Sequence, residues 1–170
     1  VTDTTVYIGS DGNLLEEKPE NCQVLKVNNP ILTNTDMLKI KNMQVPGFKV
    51  AVVPITYYKS TNLKRAIERL FVEVDKAHHD GANILVLSDR GVDENHVPMP
   101  SLLAVSAVHQ HLVKTKKRTS LAVILESGEP REVHHFATIL GYGACAVNPY
   151  LALETNRELI DQEMLDKDYY

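Results

Sequence analysis

Three short apolar runs in this chain end in residues that could do chemistry. Asn83–Leu87 is followed by Ser88, Asp89 and Arg90, Leu121–Leu125 by Glu126, Ser127, Gly128 and Glu129, and Ala144–Val147 by Asn148 and Tyr150. If the runs are neighbouring parallel strands, their carboxyl ends share one rim, where loops vary freely and helix N-termini point. Carboxylates, an arginine and an amide on one rim could bind a polar ligand or perform acid-base work. The same residue types also brace their own loops by capping helices and pairing with neighbours, which is the default role of buried rim charges. Both readings stand on the residues alone.

Other chemistries find less support. The seven histidines invite a metal, but helix geometry separates them. His134 and His135 point about 100° apart, and His109 and His111 about 200° apart, so neither pair faces one ion. His78 and His79 fall near a helix C-terminus, where an imidazole meets the dipole favourably. No H-E-x-x-H, G-x-G-x-x-G, P-loop or G-x-S-x-G pattern occurs, and Gly9-Ser10-Asp11-Gly12 reads as a turn. No metal or nucleotide cofactor is expected in this segment. Cys22 and Cys145 form no C-x-x-C pair and read as free thiols in a reducing compartment.

The elements that must position the rim follow from periodicity. Lys49–Thr56 is a β-branched strand after Pro46 and Gly47. From Leu63, apolar residues at Ala66, Ile67, Leu70, Phe71, Val74 and Ala77 make one helical stripe, with Ser60, Thr61 and Asn62 as caps and Gly81 at its end. Strands at Asn83–Leu87, Leu121–Leu125 and Ala144–Val147 are continuous apolar runs, as expected where both faces are covered. Pro100 and Ser101 open a helix through Leu112. Pro130 is expected at the start of another, which ends at Gly141, and a last helix should run from Thr155 to Leu165. Residues 1–46 read as an N-terminal extension with a strand at Thr5–Ile8, a turn, and a helix at Asn34–Asn42 capped by Thr33 or Asn34. Residues 47–170 read as the β-α core. The fold class is α/β, about four consecutive β-α units on a mainly parallel sheet, half-barrel-like, because a closed eight-fold barrel takes about 250 residues.

Composition narrows the partners. With 18 basic and 22 acidic residues scattered over 170, the formal net charge is −4, and no basic stripe suits nucleic acid. No apolar run approaches a membrane span, and the chain reads as cytoplasmic. It opens at Val1 without an initiator methionine and stops at Tyr169 and Tyr170, aromatic residues that would normally continue into something that buries them. An excised piece of a longer polypeptide is expected.

Two long motifs carry a specific resemblance. SDRGVDENHVPMPSLLAVSAVHQHL (88–112) and ESGEPREVHHFATILGYGACAVNPYLALET (126–155) closely resemble the central domain of the glutamate synthase large chain. GNLLEEKPENC (12–22) and NPILTNTDMLKIKNM (29–43) match the same domain. The resemblance implies a degenerate relative of an FMN-binding barrel, without the cofactor. It implies a place between an amidotransferase domain that releases ammonia from glutamine and a synthase domain carrying FMN and an iron-sulfur cluster. The central domain would join them and help form the ammonia route. It implies no catalytic residue here: the first residue is Val1 rather than the amidotransferase's leading cysteine, and two cysteines cannot supply three cluster thiolates. An N-terminal portion of the usual central domain is expected to be missing. Asp89, Arg90, His96, Glu126, Ser127, Glu129, Arg131, His134, Asn148 and Tyr150 are then assigned to an interdomain rim. The alternative is a small-ligand or regulatory module on the same rim, drawing on a helix start after Gly128 that resembles a phosphate cradle.

Overall fold

The computed structural model describes residues 3–13 and 15–166; Val1, Tyr169 and Tyr170 lie outside them. Its centre is a four-stranded parallel sheet of β3 (Val50–Pro54), β5 (Ile84–Ser88), β7 (Ala122–Glu126) and β8 (Ala146–Asn148), in that spatial order. Three helices connect these strands in sequence: α2 (Leu63–His79), α3 (Ser101–Lys114) and α4 (Val133–Gly141). Each strand therefore lies beside the one before it, the order of a barrel opened halfway.

Side chains alternate along each strand, so the sheet has two cores. On one face Leu85, Leu87, Val123, Leu125 and Val147 meet Leu70 and Val74 of α2, Val105, Val108 and Leu112 of α3, and Ile139 of α4. On the other, Ile84, Val86, Ala122, Ile124 and Ala146 meet Ile8, Leu32, Met37 and Ile40. The second layer comes from α1 (Asn34–Lys41) and an antiparallel ribbon of β1 (Val6–Ile8) and β2 (Leu25–Val27). Thr33 caps α1 in a reciprocal box: its hydroxyl accepts from Asp36 N at 3.1 Å, and the Asp36 carboxylate accepts from Thr33 N. Asn62 caps α2 by accepting from Lys64 N at 2.8 Å.

Several boundaries differ from the sequence reading, each for a tertiary reason. The run from Lys49 to Thr56 breaks at Ile55, whose N–H donates to Ser88 and whose carbonyl accepts from Met99 N, both at 2.8 Å. The chain then turns into β4 (Thr56–Tyr58), antiparallel to β6 (His96–Pro98), a ribbon whose partners lie too far apart in sequence for a hairpin signal. Helix α4 starts at Val133, so Pro130 lies in the preceding loop rather than in the first turn. The last helix, α5, spans Tyr150–Asp161 rather than 155–165. It starts early because Pro149 serves as cap and its carbonyl closes the first turn onto Leu153 N at 3.1 Å. It stops early because Glu163 adopts φ 58° and the Met164 N–H bonds back to Leu159 O, a left-handed stop usually made by glycine.

Candidate functional site

Strand register builds the rim. Ser88, Glu126 and Asn148 stand side by side at the carboxyl ends of β5, β7 and β8, a polar layer above the apolar rows of the α1-covered face. Glu126 is almost fully buried, at 2 % exposure, and four contacts satisfy it. Lys41 Nζ of α1 donates to both its oxygens at 2.7 and 2.6 Å, Arg90 Nε donates at 3.0 Å, and the Ser88 hydroxyl donates to Oε2. Burial pushes the Glu126 carboxyl up, but the Lys41 ammonium, the Ser88 hydroxyl and Arg90 outweigh it and hold the group below its ordinary value.

A second cluster forms one residue further along. The buried Asp89 carboxylate accepts from Ser127 Oγ at 2.5 Å, Gly128 N at 3.1 Å and Tyr150 Oη at 2.8 Å. Burial and the Asp89 carboxylate beside it push the Tyr150 phenol up to about 12. Arg90 ties the clusters together: its guanidinium lies 3.9 Å from the Tyr150 ring centroid while its Nε bonds Glu126. A long contact of 3.4 Å to the exposed Glu154 adds little.

The other assigned residues divide. Glu129 accepts from Ser101 N at 2.6 Å and so caps α3 with a carboxylate. Asn148 is completely buried, its Nδ2 donating to Leu32 O and Asn34 Oδ1 at 2.9 and 3.0 Å, while its Oδ1 has no partner among the described residues. Arg131 is exposed, and its backbone N–H donates to His135 Nδ1 at 3.2 Å. His134 is exposed and contributes only its carbonyl, to the Thr138 hydroxyl. His96 sits on β6 against Asp93 and edge-on to Tyr58, sharing no hydrogen bond with either cluster. The structure thus gathers Asp89, Arg90, Glu126, Ser127 and Tyr150 through direct contacts, with Asn148 beside Glu126 in the register. Glu129 joins them through its N–H, which donates to Ser127 Oγ at 3.1 Å, while its carboxylate caps α3; His96, His134 and Arg131 lie outside the clusters.

The helix start expected after Gly128 comes later than the sequence reading places it. The Gly128 N–H is committed to Asp89, and α4 begins only at Val133, where Glu132 makes no side-chain cap. Two adjoining grooves share Pro100, Glu129 and Arg131. One, of about 350 Å³, runs to His135 and Thr138; the other, of about 410 Å³, reaches Asp89, Gly128 and Tyr150. Sequence reasoning missed Lys41, the main counter-charge, which lies 85 residues before Glu126. The only available signal was that a carboxylate ending an apolar strand requires a cation from somewhere.

Chemically, both buried carboxylates have their lone pairs occupied by donors of the same fold, which suits bracing better than proton transfer. The glutamate synthase central domain family matches residues 1–170 of this sequence. The chain belongs to that family. It is 41% identical over 169 residues to the large chain of the NADPH glutamate synthase of Bacillus subtilis, covering 99% of this chain and 11% of that protein. It is 44% identical over 164 residues to the NADH glutamate synthase of Schizosaccharomyces pombe, covering 94% and 8%. Against the ferredoxin-dependent glutamate synthase 2 of Synechocystis it is 36% identical over 164 residues, covering 93% and 10%. This central-domain chain therefore spans only about a tenth of the length of such relatives. Among its described residues no helix is long and apolar enough to cross a membrane, and no three His, Cys, Asp or Glu side chains converge as metal ligands.

Proposed function

We propose that this chain is the connector of a glutamate synthase. It joins a glutaminase (amidotransferase) domain to a synthase domain carrying FMN and an iron-sulfur cluster, and helps wall the path that ammonia takes between them. The parent reaction turns glutamine, 2-oxoglutarate and two electrons into two glutamates. An iron-sulfur cluster does not fit this segment, whose two cysteines are the exposed Cys22 and the half-buried Cys145 and fall short of a thiolate set. FMN and the cluster belong, in this reading, to the neighbouring domain.

The observation that carries the reading is the self-sufficiency of the rim's two buried carboxylates. Lys41, Ser88, Arg90, Ser127, Gly128 and Tyr150 consume the acceptors of Glu126 and Asp89 from within the fold. A wall beside neutral ammonia should offer no unpaired acid, because protonation to ammonium would add the desolvation cost of a buried ion. A braced rim also holds its loops in one place for neighbours to dock against. The test uses the full-length enzyme. Asp89→Asn should leave glutamine hydrolysis running while less of the released ammonia reaches glutamate and more escapes to solution. Release of ammonia from glutamine, or turnover of 2-oxoglutarate, by the 170-residue chain alone would overturn the assignment.

A further inference from the structure

The two edges of the parallel sheet are treated differently. At the β8 edge, residues 30–32 run alongside as an extra strand: Ile31 bridges Val147 in the parallel sense, Leu32 N donates to Val147 O, and Val147 N donates to Pro30 O, both at 2.8 Å. At the opposite edge, β3 pairs only with β5 among the described residues. Bonds from Ile84 N to Lys49 O and from Ile55 N to Ser88 O fix which side of β3 each residue serves. In a parallel ladder alternate residues face alternate neighbours, so Ala51, Val53 and Ile55 face β5. The N–H and C=O groups of Val50 and Val52, and the carbonyl of Pro54, point outward. Val52 is 49 % exposed although its row neighbours Val86 and Ile124 are fully buried.

We infer that the outer edge of β3 is a docking site for one extended, uncharged strand supplied by polypeptide flanking this segment in the longer protein. The backbone pattern defines the occupant: two donors and three acceptors in a row take another strand rather than a helix or a small molecule. The residues from Val50 to Ile55 carry no charge, so a charged partner gains nothing, and half-exposed Val52 needs an apolar neighbour beside it. Pro54 lacks an N–H and ends the donor row, which keeps the pairing short. The other edge shows how this fold solves the same problem, with a short stretch running parallel to the strand it covers. A flat, apolar edge left bare invites aggregation. The relatives supply ample polypeptide, since the chain covers 8–11% of their length. The inference rests on the connector reading for the source of the strand and names where that contact is made.

The test is residue-resolved amide hydrogen exchange on the 170-residue chain and on the full-length enzyme. In the chain alone, Val50 and Val52 exchange freely while Ala51, Val53 and Ile55 are slow. In the full-length enzyme, the Val52 amide slows by about tenfold or more. Val52→Pro, which deletes the outward donor, returns Val50 to fast exchange there, whereas Val52→Thr, which keeps the donor, does not. A Val52 amide equally fast in both proteins overturns the inference, even if glutamine hydrolysis stays coupled to glutamate formation and the connector reading survives. Protection that appears in the chain alone and grows with its concentration overturns it too, by assigning the edge to a second copy. If Val52 is protected in an enzyme whose ammonia freely escapes, the docking site stands and the channelling role falls.

Discussion

Replacing Glu126 by Gln keeps the shape of the side chain and removes the charge around which the rim is arranged. The Glu126 side chain is 3% exposed, against 22% for Lys41 and 41% for Arg90. Arg90 regains water when the carboxylate is lost, so its share is small, as for other half-exposed pairs. Lys41 cannot fully escape. It faces an amide with one oxygen where it had two anionic ones, and the amide N–H₂ competes with the Ser88 hydroxyl for acceptors. Breaking a buried pair by removing one partner costs about 3–5 kcal/mol. Partial hydration of Lys41 places Glu126→Gln at the lower end, about 3 kcal/mol. With a urea slope of about 2 kcal/mol per molar, the midpoint falls by about 1.5 M. Lys41→Met should cost much less in the Glu126→Gln background than in the parent, with a coupling of at least about 1 kcal/mol. The pH dependence has a definite sign. Glu126 titrates below its ordinary value in the fold, so the native state binds fewer protons than the unfolded one. Its contribution is full above about 4.5 and is lost as pH falls through the folded-state value, and Glu126→Gln should flatten that acid limb. A loss under about 1 kcal/mol at unchanged slope would show that the cluster contributes nothing beyond ordinary surface pairing.

Three further outcomes rest on other contacts. Gly143 sits at φ 119°, and a Cβ added there would lie only 2.4 Å from His109 Nδ1, the acceptor for Arg118 Nε at 3.0 Å. Gly143→Ala should lower stability by about 1–3 kcal/mol in urea melts, whereas Gly81→Ala, where nothing crowds the Cβ, should cost only backbone strain. Burial and the Arg118 charge push the His109 imidazole down, so its contribution is present above 6.5 and lost as pH falls through its folded value; His109→Gln should reduce the slope of stability against pH in that range. Tyr150→Phe removes one of the donors to Asp89 while leaving the ring under Arg90, and chemical melts should show a loss of about 1–2 kcal/mol.

The legible parts of the fold were those governed by local rules. The α2 stripe, the Asn62 and Thr33 caps, and the fully apolar β5 and β7 runs each follow from spacing within a few residues, and the parallel sheet follows from their alternation. Illegible parts depended on distant partners. β2 is three residues, Leu25–Val27, with a lysine in the middle, and is a strand only because β1 lies beside it. β4 and β6 exist as a pair or not at all. At the rim, strand ends pointed to Asp89, Arg90, Glu126, Ser127 and Tyr150, which do converge. His96 and His134, assigned to the same rim through the family motifs, are exposed and share no hydrogen bond with the two clusters; nothing in a helix or edge-ribbon pattern says which way an imidazole faces.

Lys41 explains why an α1 that looks weakly amphipathic is nonetheless part of the core. Only Met37 and Ile40 of that helix are buried, too little apolar surface to seal one face of a four-stranded sheet by itself. A buried carboxylate at the end of β7 would be strongly destabilising without a cation, and α1 delivers one across a separation of 85 residues. The two deficits offset each other: the helix is anchored by charge where its apolar stripe is thin, and the carboxylate is tolerated where a leucine would otherwise sit. Such an arrangement favours one docking position for α1 over sliding alternatives, because a shift of one helical turn moves the Lys41 ammonium about 5 Å from its partner. The same logic distinguishes the ends of the sheet. The β8 edge is closed by residues 30–32, the segment leading into α1, whereas α1 itself packs against β3 and leaves that strand's outer backbone edge unpaired among the described residues. If Lys41→Met and Glu126→Leu are combined, stability should recover to near the parent value, yet the protection of the Leu32 amide, which bonds Val147 O, should fall as α1 loses its register. Full retention of that protection would show that apolar contacts alone position the helix.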